Sequence, residues 1–161
     1  MKISSLLLVI VLLMGVSGLA QTAHVQAKPL SDDDIKLLRA DVQDAKDSII
    51  KDTMQFTGPE AAAFWPVYQD YSKQQHALAD TRLGIITDYA QHIENMNDAT
   101  AQSLTNRMMQ LEDETQELRK AYFPKFVKAL GAKRAAKFYQ VDNRLTLMVE
   151  VQLASEVPLI P

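Results

Sequence analysis

The chain has 161 residues, 47% of them hydrophobic, with five Gly, six Pro and a formal net charge of −3. That length makes one domain the default, and so little Gly and Pro favours an all-α protein over a β-sandwich. The acidic balance argues against wholesale nucleic-acid binding, and the absence of cysteine excludes disulfides, thiol catalysis and cysteine-based zinc sites.

The N-terminus reads as an address. Lys2 gives a positive start, residues 3–16 are almost wholly apolar, and Gly18-Leu19-Ala20 offers a small-residue cleavage pattern. The apolar run is shorter than the roughly 20 residues of a membrane span, so residues 1–20 are expected to be a secretory signal peptide. Val25-Gln26-Ala27 is a second cleavage pattern, which places the cut between residues 20 and 27. No second long apolar run follows. The expected product is an exported, periplasmic chain without a transmembrane span, with residues 28–161 forming one all-helical domain.

Four helices are expected in it. Ser31 is a cap, and Asp32, Asp33 and Asp34 suit the positive end of a helix dipole. Ile35, Leu38, Val42, Ala45 and Ile49 then recur at 3-4 spacing, which predicts a first helix over residues 32–55 with a narrow apolar seam. The second start is the clearest in the chain. Thr57 and Glu60 form a capping-box pattern, and Pro59 sits in the first turn, where its missing N–H costs nothing. Phe64, Tyr68, Tyr71, Leu78, Ile85, Tyr89 and Met96 continue as one stripe, so this helix should run over residues 59–95. Pro66 lies inside it and should kink it.

Asn97 or Asp98 is the natural cap of a third helix, with Ala101, Leu104, Met108, Leu111, Leu118 and Tyr122 in line and Pro124 near its end. The second and third helices make a long antiparallel hairpin. Gly131 can take a left-handed cap conformation. A fourth helix follows over residues 132–155, with Phe138, Val141, Leu145, Met148 and Gln152 aligned and a second apolar face at Leu147, Val149, Val151 and Leu153. A helix apolar on two sides belongs between neighbours or in a dimer. The last five residues, Val157 to Pro161, form an apolar extended tail that either packs back on the bundle or binds a partner.

Residues 56–65 and 130–139 resemble each other: each is a helix start followed by small residues and an aromatic pair, Phe64-Trp65 and Phe138-Tyr139. This layout resembles the Spy/CpxP-like exported helical proteins, whose helix starts carry a Leu-Thr-x-x-Gln pattern. Here Phe56 stands for the Leu and Glu60 for the Gln, and the second copy lacks both Thr and Gln. The Phe-Trp-Pro-x-Tyr, Lys-Phe-Tyr-Gln and Leu-Ala-Ser-x-x-Pro-Leu segments also resemble bacterial exported proteins. The resemblance implies a bent helical hairpin that dimerises into a cradle. The likeness of the Phe-Trp-Pro-x-Tyr, Lys-Phe-Tyr-Gln and Leu-Ala-Ser-x-x-Pro-Leu segments supports the fold and carries no activity.

No pattern for catalysis appears. His76 and His92 are sixteen residues apart, about 24 Å on one helix, and no His-x-x-x-His pair is present. The acidic residues Glu112, Asp113, Glu114 and Glu117 read as a solvated helix face. The reading is therefore a protein without catalytic residues, metal or cofactor. From Arg119 to Arg144 there are eight basic residues opposed by Asp142 alone. That surface either complements acidic parts of the same chain or dimer, or recruits acidic partners. The candidate contact residues are Phe64, Trp65, Tyr68 and Tyr71, with Lys133, Arg134 and Lys137. Phe64, Trp65, Tyr68 and Tyr71 are also, and first, the pattern of a packed aromatic core.

The expected function is that of a non-enzymatic periplasmic binding protein, chaperone-like or an envelope-stress adaptor, for unfolded or partner polypeptides. The alternative is a sensor or regulator docking on a membrane-bound partner protein. A homodimer is expected in both.

Overall fold

Alternating apolar spacing and well-placed caps produce four helices and no strand among the described residues. A computed structural model describes residues 32–160, with side chains from residue 42 onward. The signal-peptide and Ser31-cap readings, and the side chains of Ile35 and Leu38, lie outside them. α1 is Asp32–Met54, α2 Gly58–His92, α3 Asp98–Leu130 and α4 Ala132–Glu156, with a single 3-10 turn, Ile93–Asn95, between α2 and α3. These bounds agree with the spacing to within a residue or two, apart from the 3-10 turn that closes the second helix. α2 runs unbroken through Pro66 and α3 through Pro124. At 35 residues, α2 is about 50 Å long. None of the described helices is long and apolar enough to cross a membrane.

The helices pack within the unit Leu37–Pro161. α2 and α3 are antiparallel: Asp88 meets Arg107 at the tip, while Gln74 and Tyr122 meet nearer the base. α4 runs parallel to α2, with Tyr71 on Asp142, Arg82 on Glu150 and Tyr89 on Pro158. α1 is antiparallel to α2, because Lys46 reaches Gln75 while Met54 sits near the start of α2. The order is therefore up-down-up-down around the base.

Two cores result. The larger, at the base, holds Ile50, Met54, Phe64, Tyr68, Tyr71, Tyr122, Phe126, Leu130, Ala135 and Phe138. Phe64 is its hub, with ring centroids of Phe56, Phe138, Trp65, Tyr68 and Phe126 between 4.5 and 5.6 Å away. The smaller core, Ile85, Leu104 and Leu111, lies further along the hairpin.

Asn97 caps α3, its Oδ1 accepting from Thr100 N–H at 3.0 Å. Gly131 separates α3 and α4 with φ 77 and ψ 156. Its φ is positive, as expected, but its ψ is extended rather than left-handed helical. That region is open essentially to glycine alone.

Two seams differ from the periodic reading. On α1, Val42 is 51% exposed and Ile49 44%, whereas Ile50 and Met54 are buried. The face turned inward also carries Gln43, Lys46 and Asp47. Polar partners on α2 and α4 receive these side chains, so an apolar pattern alone points one residue away. On α4, Met148 is 70% exposed and Gln152 is exposed. The inward line passes instead through Ala135, Phe138, Asp142 and Leu145 to Leu153. A strict heptad drifts about 20° per repeat around a straight helix, which carries its last members off the seam.

Candidate functional site

The base corner is built where α1 ends, α2 begins and α4 begins. Glu60 Oε2 accepts both the backbone N–H and the hydroxyl of Thr57, each at 2.9 Å. The Thr57 N–H holds the Glu60 carboxyl below its ordinary range, and Arg134 adds to this. Arg134 Nε lies 2.6 Å from Glu60 Oε1. Its Nη2 donates to Met54 O at 2.8 Å, and Lys137 Nζ donates to Thr53 O at 2.6 Å. The last carbonyls of a helix have no partner within it and form its negative end. Two α4 cations therefore cap α1.

An open cleft of about 480 Å³ lies at the same corner, lined by Lys51, Asp52, Gln55, Phe56, Ala61 and Trp65. The Phe56 and Trp65 rings meet edge to face at 6.0 Å. Gln55, with φ 48, turns the chain out of α1. The left-handed region is uncommon for a long side chain.

Above the corner a polar node crosses the bundle. Asp142 is 2% exposed. Its Oδ2 accepts from Tyr71 Oη at 2.8 Å and from Gln75 Nε2 at 3.4 Å. Its Oδ1 lies 3.0 Å from Lys46 Nζ but outside hydrogen-bonding geometry, so that contact is an ion pair without a directed bond. Lys46 Nζ also donates to Gln75 Oε1 at 2.8 Å. Gln43 extends the node, donating to Asp47 and the Tyr68 oxygen and accepting from Ser72. Arg119 borders it across a cavity of about 10 Å³ shared with Tyr71 and Asp142, which is room for about one water.

Burial, reinforced by nearby carboxylates, pushes the Tyr68 and Tyr71 hydroxyls far up. Tyr122 donates to Asp70 and accepts from Gln74, and burial raises it to about 12. A buried carboxylate facing an ammonium and a phenol is costly unless every partner is in place, and the partners of Asp142 come together only in this register of α1, α2 and α4.

The seven sequence candidates separate accordingly. Phe64, Tyr68 and Tyr71 are core residues. Trp65 is half-buried and walls the cleft. Arg134 and Lys137 are occupied as caps, while Lys133 is exposed. The basic run is thus partly complemented within the chain. Lys120 also pairs with Glu117 at 2.7 Å, and Lys125 lies 3.8 Å over the Tyr122 ring. Sequence reasoning assigned none of Asp142, Lys46 and Gln75 to a site. The signal was present: Asp142 follows Phe138 by four residues, on the apolar stripe.

Among the described residues no three His, Cys, Asp or Glu gather to hold a metal. His76 bonds Gln43 and His92 bonds the Asp88 carbonyl. Comparison with family models, curated proteins and solved structures finds no match.

Proposed function

We propose that this is an exported, non-enzymatic binding protein for polypeptides, acting in the periplasm as a chaperone-like protein or an envelope-stress adaptor and working as a homodimer. The Phe56–Trp65 cleft supports this reading best. It pairs an aromatic wall with a charged rim at Lys51 and Asp52, the combination that lets an extended chain bury apolar side chains while its backbone stays wet. The signal-like N-terminus supplies the address, and the resemblance to Spy/CpxP-like proteins agrees with it. The contact differs from the aromatic patch expected from sequence, because only Trp65 of that group is accessible.

The test is suppression of aggregation. Mature protein is mixed with a chemically denatured client, and light scattering is followed at low and high salt. Suppression lost in a folded Trp65→Ala variant supports the cleft. Suppression that survives in that variant removes the cleft from the reading, and none at several-fold excess removes the chaperone reading. The second reading, a sensor or regulator docking on a membrane-bound partner, is favoured by one observation: Leu159 in the tail is 91% exposed. Removing residues 157–161 should then abolish docking and leave aggregation suppression intact.

A further inference from the structure

We infer that the Phe56–Trp65 cleft of one molecule receives the tail of a second copy, residues 158–161, in a reciprocal two-fold pair. This rests on reading the cleft as a polypeptide site and names an occupant for it. α4 stops at Glu156, and Val157 is extended, with φ −91 and ψ 112. The sequence then reads Pro158-Leu159-Ile160-Pro161. A Pro-x-x-Pro segment is pre-set for an extended helix without internal hydrogen bonds, and aromatic-lined grooves bind such segments at low entropic cost. Leu159 and Ile160 are exposed, so the apolar part of the tail is uncovered in the single chain.

The tail cannot fill its own cleft. Tyr89 Oη donates to Pro158 O at 2.6 Å, which holds the tail beside the far part of α2. Tyr89 and Trp65 are 24 residues apart on that helix, about 36 Å at helical rise. Residues 159–161 span at most roughly 10 Å from Pro158. The donor must therefore be another molecule. Two rods laid antiparallel bring each tail to the other's cleft, so both sites fill and the assembly closes.

The rim carries both signs, Lys51 and Asp52, so charge sets the register of the tail rather than driving its binding. Lys51 on the cleft rim is exposed and makes no ion pair among the described residues. Glu156, the last helical residue before the tail, is also exposed. A tail lying on Trp65 would bring Glu156 toward Lys51. Two such short contacts bury well under the roughly 1,200–2,000 Å² of a standard interface, so the association should be weak and concentration-dependent.

Trp65 is the only tryptophan in the chain and reports directly on the cleft. Its emission and the sedimentation coefficient are followed from low to high micromolar protein. Both should change together in the wild type, and neither should change in a folded Leu159→Asp variant. A synthetic peptide of residues 155–161 added to that variant should restore the emission change. Lys51→Glu should weaken association about tenfold, and Glu156→Lys in the same chain should recover it. Dimerisation of Leu159→Asp at wild-type strength, or a peptide that leaves Trp65 emission unmoved, overturns the proposal. If the peptide fails but a denatured client still shifts Trp65 emission, the tail assignment falls and the polypeptide-binding reading stands. If neither shifts it, both fall.

Discussion

Tyr71→Phe removes one oxygen from the middle of the bundle and leaves the ring packing in place. The lost group donates to Asp142 Oδ2 at 2.8 Å between two residues that are each 2% exposed. A hydrogen bond to a buried charged acceptor contributes about 1.5–3 kcal/mol. The acceptor would keep only Gln75 at 3.4 Å on that oxygen, too long to compensate, so the middle of the range applies, about 2 kcal/mol. For a helical unit of this size that corresponds to a fall in Tm of roughly 6–10 °C. Urea and thermal unfolding followed by far-UV circular dichroism measure it. The same substitution made in an Asp142→Leu background should cost much less, giving a coupling above about 1 kcal/mol. A single variant within about 0.5 kcal/mol of wild type, or strict additivity in the double variant, would refute the view that Asp142 is costly unless its partners are in place.

Raised phenol pKa values make stability depend on alkaline pH. In the folded state Tyr68, Tyr71 and Tyr122 hold their protons above the ordinary phenol range, so their contribution is complete below the unfolded value near 10 and is lost as pH rises beyond it. The urea midpoint should fall above about pH 10, less steeply in Tyr71→Phe; a flat profile there would contradict the burial. Phe64→Ala opens the hub of the aromatic core and should cost about 3–5 kcal/mol, read from the urea midpoint. Gly131→Ala meets no atom within 4 Å, yet its backbone is confined to the glycine region, so strain alone should destabilise by about 1–3 kcal/mol in thermal melts. Gln55→Gly relieves a left-handed long side chain and should stabilise by about 1 kcal/mol in the same assay.

Much of the architecture was legible from local chemistry. The Thr57–Glu60 pair, the Asn97 cap and Gly131 are signals acting within a few residues, and the helix bounds followed them. The stripe Phe64, Tyr68, Tyr71 and Ile85 kept its period along α2 because every one of those positions meets an apolar partner. Which face α1 turns inward was decided elsewhere. Lys46 is drawn in by an aspartate 96 positions along the chain, and no local pattern carries that pairing. From sequence, Arg134 and Lys137 could either complement the rest of the chain or recruit a partner, and the fold sets them on the last carbonyls of α1. Sequence by itself thus determined where helices begin and end, since capping and periodicity are short-range. Only the tertiary structure decided which polar groups are buried, which aromatic residue stays open to solvent, and where the cleft lies, because each depends on what arrives from another helix.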